Sequence, residues 1–128
     1  MWIFVVAAAA EALTGLAALV APLLVGGLLL GADLNPARAA IARFGGLAFV
    51  GFALACWPAG GSGGGAIWAR RALWVFQPAA AICLVLVTVT TGLSGILLWP
   101  AVAYHAFATV ALARPAIARS PLGKDALR

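Results

Sequence analysis

The chain has 128 residues, of which 66% are hydrophobic and only 9% are charged, and its mean hydropathy is +1.14. A soluble domain carries about 25% charged residues, so this composition excludes a soluble globular protein and indicates a single integral membrane domain. The net charge is +5, and the basic residues lie next to apolar segments. This position indicates the anionic headgroups of a lipid bilayer as the partner rather than nucleic acid.

Four apolar segments follow one another and predict an all-α, integral membrane four-helix bundle, at about 3–29, 36–57, 67–91 and 95–113. A helix of about 20 residues crosses the hydrocarbon layer, because each residue adds about 1.5 Å. The first segment is longer than that, and Pro22 lies in its second half. We therefore expect it to tilt, kink or break near Pro22, and a break would leave a short interfacial piece.

The connections between the segments differ in character. Asn35 followed by Pro36 is typical of a helix start, with asparagine as the cap and proline at the first helical position. The glycine-rich stretch 59–65 predicts a flexible linker that buries nothing, and 91–95 predicts a tight helical hairpin. The basic tail 114–128 is expected at the membrane surface. The first segment is expected to be a permanent helix, since it exceeds the roughly 7–15 apolar residues of a signal peptide.

The basic residues are distributed unevenly between the two sides of the predicted bundle. With four spans, the side that holds the termini carries six of them: Arg70, Arg71, Arg114, Arg119, Lys124 and Arg128. The opposite side carries only Arg38 and Arg43. Because cytoplasmic loops hold the excess of lysine and arginine, we expect both termini in the cytoplasm.

A few polar residues lie deep within the apolar segments. Glu11 falls about 12 Å from the inner end of the first segment, Gln77 about 10 Å into the third and His105 about 15 Å into the fourth. An ionisable group at such a depth costs roughly 2.5–3.5 kcal/mol and is a functional-site hypothesis by default. We predict an intramembrane polar cluster of these three residues with Tyr104. Arg43 either extends outward to the interface or reaches inward toward Glu11.

Two interpretations of this cluster stay open, besides a third in which Glu11 lies at the inner headgroups. In the first, the polar groups of Glu11, Gln77 and His105 hydrogen-bond one another between helices, each contact contributing about 0.6–2 kcal/mol. In the second, they line a ligand pocket or a proton path. Hydrogen bonding between helices is the leading interpretation, and the ligand pocket or proton path is the alternative.

Cofactor and catalytic motifs are sparse in this sequence. His105 could ligate a tetrapyrrole, with Ala101 leaving room one turn earlier, and a quinone is a further candidate ligand. No metal site is expected, because one histidine and one nearby acid fall short of three protein ligands. The glycines of 59–65 lack the lysine and hydroxyl residue of a phosphate loop. We identify no catalytic residue, and the separated Cys56 and Cys83 are expected to be packing residues rather than a disulfide.

Short motifs in the first two segments resemble a known family. The motifs are Gly15-Leu-Ala-Ala-Leu-Val-Ala-Pro22, Leu29-Leu-Gly31, Ala42-Arg-Phe-Gly-Gly-Leu47 and Gly51-Phe-Ala-Leu54. They are similar to those of the DoxX-like group and its DUF4345-type relatives, small four-helix bacterial membrane proteins. The resemblance implies the fold and a bacterial inner membrane location, and some members are linked to quinone-dependent sulfur oxidation. No catalytic residue is carried over from it.

Ala10-Glu11 on the first of four short helices also resembles the small multidrug-resistance transporters. In those proteins such a glutamate exchanges protons for cationic drugs. This sequence departs from them in its glycine-rich central loop, its prolines and its strong charge bias.

Two functional hypotheses follow from the sequence. The leading one is a non-catalytic accessory subunit or oligomeric membrane component, with another membrane protein or further copies of itself as partner. It follows from the incomplete catalytic set and from the small residues that let helices approach closely. The alternative is a proton-coupled small carrier or a small-ligand or quinone-binding protein centred on Glu11 and His105.

Overall fold

The computed structural model describes residues 2–117, and every regular element among them is helical. In chain order these are α1 (Trp2–Val20), α2 (Pro22–Leu30), α3 (Pro36–Cys56), a 3-10 turn at Trp57–Gly60, α4 (Gly64–Thr91) and α5 (Leu98–Ile117). The all-helical prediction is confirmed. Residues 118–128 of the predicted basic tail lie outside the described residues.

Three helical stretches are long and apolar enough to cross a membrane, which fits a membrane protein: Trp2–Val20, Pro36–Gly60 and Gly64–Thr91. The apolar stretch of α5 is shorter than these three and covers Leu98–Ala113. Five helices therefore stand where the sequence predicted four, because the first segment is divided, and the number of crossings stays a prediction.

The division of the first segment falls at Ala21, between α1 and α2. Pro22 has no N–H to continue the helical hydrogen bonding, and Ala21 leaves the helical region with φ −129° and ψ 59°. Ala21 N–H still donates to the Ala17 carbonyl at 2.8 Å, and Val25 N–H donates to the Ala21 carbonyl at 3.1 Å. Of the predicted alternatives, the chain adopts the break.

The end of α2 lies against the connection between α4 and α5. Gly31 ends α2 in the left-handed conformation, at φ 65°. Gly95 N–H donates to the Leu29 carbonyl at 3.0 Å, and Leu97 N–H donates to the Leu28 carbonyl at 2.9 Å. These carbonyls belong to the last turn of α2, where the helix itself offers no donor. Two backbone hydrogen bonds thus hold α2 against the connection between α4 and α5.

Helix α3 begins as predicted and packs closely on α1. Asn35 accepts a hydrogen bond from Arg38 N–H at 2.9 Å, with Pro36 as the first helical residue. A Cβ added to Gly15 would lie 2.7 Å from the Gly46 carbonyl oxygen, and one on Gly46 would lie 2.6 Å from the Gly15 carbonyl oxygen. Only glycine permits this approach, so the two helices meet backbone to backbone.

The glycine-rich connection differs from the predicted flexible linker. Its first part forms the 3-10 turn, Ala59 is completely buried, and α4 already begins at Gly64. The guanidinium of Arg70 donates to the Ala59 carbonyl at 2.7 Å and to the Gly61 carbonyl at 2.5 Å, and it lies over the Phe4 ring. An arginine fork that satisfies two loop carbonyls fixes a stretch whose composition alone indicates flexibility.

Candidate functional site

Three helices each contribute one polar side chain to a continuous chain of hydrogen bonds. Glu11 on α1 accepts from Gln77 Nε2 on α4 at 3.0 Å, and Gln77 Oε1 lies 2.5 Å from Nδ1 of His105 on α5. Glu11 and Gln77 are 2% and 0% exposed, while His105 is half-buried. The structure therefore brings together the three residues that the depth count places at one level.

The direction of these hydrogen bonds determines the state of the histidine ring. The Gln77 amide nitrogen donates to Glu11, so the amide oxygen is the atom that faces His105. A carbonyl oxygen only accepts, so His105 Nδ1 carries the proton. In the neutral ring, Nε2 then holds a free lone pair. Nε2 has no hydrogen bond within residues 2–117 and is not among the fully buried polar atoms.

Tyr104 lies beside this chain of hydrogen bonds. Its ring centroid is 5.0 Å from that of His105, with the planes inclined at 65°. Its hydroxyl is completely buried, yet it has no hydrogen-bond partner in the described part of the chain. A buried tyrosine hydroxyl normally finds a partner, because leaving it unpaired costs about 1–3 kcal/mol.

Arg43 does not join the cluster. It lies exposed on α3 and forms no ion pair with Glu11. Of the two predicted orientations, the structure excludes the inward one, since the only polar group bonded to the Glu11 carboxyl among residues 2–117 is the Gln77 amide.

A cleft of about 760 Å³ opens next to His105 and is here called the main cleft. It lies between α1 and α2 on one side and α4 and α5 on the other, and Phe49 of α3 also lines it. Its walls are alanine, leucine, valine and phenylalanine, and its polar residues are few: Thr14, Cys83, Tyr104 and His105. Ligand pockets of about 300–1,000 Å³ with apolar walls and a few convergent polar groups are typical of proteins that bind small molecules.

A small cleft of about 360 Å³ lies between α1 and α5, toward Trp2 and Leu112. Its other lining residues are apolar except for Tyr104, which lines both clefts.

Two features of the site were not identified from the sequence. The main cleft itself depends on how α2 is directed after the break at Ala21, which the hydropathy pattern does not encode. Cys83 was interpreted as a packing residue, but it is exposed, free and lines the main cleft. No group of three metal-ligating side chains occurs among residues 2–117.

No protein-family model, curated protein or solved structure matches this chain. The resemblance to the DoxX-like group therefore stays a prediction, and the functional argument depends on the site.

Proposed function

We propose that this chain is an integral membrane protein that binds a small amphipathic molecule in the main cleft. The observation that carries the proposal is an apolar cleft of about 760 Å³ that is lined by a histidine held in one orientation. Apolar walls suit the body of such a ligand, and the His105 ring suits its polar head. This supports the ligand-binding alternative centred on Glu11 and His105.

The chain of hydrogen bonds favours positioning over proton conduction. A proton path needs groups that both take up and release protons, and Gln77, between Glu11 and His105, is a neutral amide. In our proposal Glu11 orients Gln77, and Gln77 orients the His105 ring toward the main cleft. Glu11 acts through its neighbours, because it does not line the cleft.

For the membrane setting, we infer four crossings with both termini in the cytoplasm of a bacterial inner membrane. The length of α5, 20 residues, supports a fourth crossing. The uneven distribution of the basic residues supports the orientation, and the DoxX-like resemblance supports the bacterial location.

Ligand binding is tested by filling the main cleft with a tryptophan side chain. Leu84 lines it, whereas Leu86 lies on the same helix with 53% of its surface exposed and does not line it. We expect native mass spectrometry in mild detergent to show a bound small molecule in the wild type and in Leu86→Trp, but not in Leu84→Trp. Identical adducts in all three proteins would contradict the proposal. An absorption spectrum of the same sample tests for a tetrapyrrole.

A second candidate function is that of an oligomeric component or accessory subunit, the leading hypothesis from the sequence. Gly45, Ala48 and Gly51 follow one another at three-residue spacing on α3, and no atom lies within 4 Å of a Cβ added to either glycine. Such a surface suits close packing of another helix. The same mass spectra test it: a stoichiometric partner or a homo-oligomer that Gly45→Leu dissociates is expected, and a monomer contradicts it.

A further inference from the structure

The hydrogen bonds between Glu11, Gln77 and His105 have a direction, and that direction depends on a proton. Gln77 Nε2 donates to Glu11 Oε1 at 3.0 Å, and His105 Nδ1 donates to Gln77 Oε1 at 2.5 Å. Both bonds therefore run toward Glu11, whose carboxyl oxygen is the final acceptor. This first arrangement suits an ionised carboxylate, because a carboxylate only accepts hydrogen bonds.

A protonated Glu11 favours the opposite direction. Its O–H needs an acceptor, and the Gln77 amide is the group hydrogen-bonded to its carboxyl among residues 2–117. An amide carries an acceptor and a donor at its two ends, so a half-turn of the Gln77 amide exchanges them with almost no change of shape. In this second arrangement Glu11 donates to Gln77 Oε1, and Gln77 Nε2 donates to a lone pair on His105 Nδ1. The proton of the neutral ring then lies on Nε2.

Burial of the two inner side chains disfavours every other arrangement. Glu11 is 2% exposed and Gln77 is 0% exposed, so bulk water does not replace a missing partner. Turning the amide against a carboxylate would bring two acceptor oxygens together, and leaving it unturned would bury the O–H of a protonated Glu11 without an acceptor. An ionised Glu11 with a doubly protonated His105 holds as many protons as the second arrangement, but it buries two charges.

The other titratable groups near Glu11 do not take part in these bonds. Among the helices packed on α1, Cys56 of α3 and Tyr104 of α5 lie close enough to interact with the Glu11 carboxyl. Both are neutral below about pH 8, and neither is hydrogen-bonded to Glu11 within the described residues. On α4, the guanidinium of Arg70 lies over the Phe4 ring, seven residues or about 10 Å before Glu11 along α1. The helix α2 and the 3-10 turn carry no titratable side chain.

We propose that Glu11, Gln77 and His105 form a proton-dependent switch, in which protonation of Glu11 turns the Gln77 amide and moves the His105 ring proton from Nδ1 to Nε2. Glu11 takes up one proton from water, while the ring releases one at Nδ1 and binds one at Nε2, so the net uptake is one proton. No proton passes through the amide. The switch itself needs no ligand, whereas its effect on a ligand head at the His105 ring depends on the proposed function.

The test observes the His105 ring directly, because His105 is the only histidine in the sequence. The full chain is labelled with ¹³C and ¹⁵N in histidine, purified without a polyhistidine tag and studied in nanodiscs by solid-state NMR. The pH is varied from about 4 to 9, which spans the ordinary titration of carboxyl and imidazole groups. Nδ1 and Nε2 are distinguished by their bonded carbons, and a protonated ring nitrogen has a different ¹⁵N shift from one with a lone pair. The infrared band of the protonated Glu11 carboxyl is followed in the same samples, and Glu11→Gln identifies it.

We expect the ring proton to move from Nδ1 to Nε2 in the pH step in which the Glu11 carboxyl band appears. On each side of the step the favoured form should be in several-fold to about tenfold excess, as one net hydrogen bond predicts. Protonation of both ring nitrogens in that step would overturn the switch. A ring proton that stays in place, or a Glu11 carboxyl that does not titrate in this range, would overturn it as well.

Three variants assign the effect to its residues. Glu11→Gln keeps a hydrogen-bonding side chain that does not titrate, and Gln77→Met keeps the chain length without the amide, so neither should show the movement of the ring proton. Tyr104→Phe is the matched control, because it removes a neighbouring buried hydroxyl that has no hydrogen bond in the described part of the chain, and it should behave as the wild type. Movement of the proton in Glu11→Gln or Gln77→Met, or its loss in Tyr104→Phe, would overturn the assignment. A failure of ligand binding in the mass spectra would leave all these expectations unchanged, so the two proposals fail separately.

Discussion

Glu11 and Gln77 are hydrogen-bonded at 3.0 Å, although 66 residues separate them in the chain. Their bond connects two halves of the molecule, because α1 packs chiefly on α3 and α4 chiefly on α5. The main cleft opens between these halves, next to the bond. The polar cluster thus joins the two halves beside the main cleft.

Replacing Glu11 tests whether its carboxyl oxygen serves mainly as an acceptor. Glu11→Leu leaves Gln77 Nε2 buried and unpaired, so we expect the free energy of unfolding to fall by about 1–3 kcal/mol. Glu11→Gln retains an acceptor oxygen and should cost much less. Reversible unfolding in mixed micelles measures both. Equal losses for the two variants would show that the hydrogen bond to Gln77 is not what matters at this position.

A double-mutant cycle isolates the same interaction. Combining Glu11→Leu with Gln77→Leu should cost less than the sum of the single variants, with a coupling of about 0.6–1.7 kcal/mol. Gln77→Leu alone should be the more damaging single change, because it also removes the partner of His105 Nδ1. Additive losses would contradict the structure of the cluster.

The contact between α1 and α3 predicts a sharp difference between adjacent glycines. In Gly46→Ala the new Cβ meets the Gly15 carbonyl oxygen at 2.6 Å, so the helices must separate, and we expect a loss of about 1–3 kcal/mol. In Gly45→Ala the new Cβ meets no atom within 4 Å, and alanine favours the helix. Thermal unfolding in detergent should show a lower Tm for Gly46→Ala and no lower Tm for Gly45→Ala.

Replacing Arg70 tests whether its side chain fixes the connection between α3 and α4, residues 57–63. Arg70→Lys retains the charge but loses the fork that reaches the Ala59 and Gly61 carbonyls. We expect the amides of this connection to exchange with deuterium about tenfold faster, since a hydrogen bond to a charged group contributes about 1.5–3 kcal/mol. The control is Arg71→Lys, because Arg71 is exposed and stacks on Trp68 instead. Similar exchange in both variants would refute this role.

The position of α2 over the main cleft is tested by two further glycines. In Gly95→Ala the new Cβ collides with the carbonyl of Leu28, so α2 must move away from the hairpin. Because Leu28 and Cys83 line the same cleft, we expect Cys83 to be alkylated several-fold faster by a polar maleimide. In Gly27→Ala the Cβ points into open space, and the rate should stay at the wild-type value. No change in Gly95→Ala would mean that α2 does not cover the cleft.

The sequence allowed the helices to be predicted because long apolar runs and the Asn35–Pro36 start are local signals. Depth counting placed Glu11, Gln77 and His105 at one level, since the rise per residue is constant. Counting does not say which way a side chain faces, so Arg43 was left with two orientations. The main cleft could not be predicted at all, because it depends on the direction of α2 after a proline break.

Arg70 shows the same limit for charge patterns. In the sequence it counted only toward the orientation in the membrane, as one of six basic residues on one side. In the structure its guanidinium lies within reach of two carbonyls eleven and nine residues earlier in the chain. A charge count treats every arginine alike, whereas the contacts of each one depend on the fold around it.

Two backbone hydrogen bonds hold α2 against the connection between α4 and α5, and they bear on how a ligand reaches the main cleft. They keep α2 along one wall of the cleft, and in the membrane setting proposed above a guest would enter the cleft from the hydrocarbon layer. Its supply is then governed by its partition coefficient rather than by its aqueous concentration. Each added methylene favours the bilayer by about 0.8 kcal/mol, so a long-chain guest is concentrated at the cleft before it makes a single hydrogen bond.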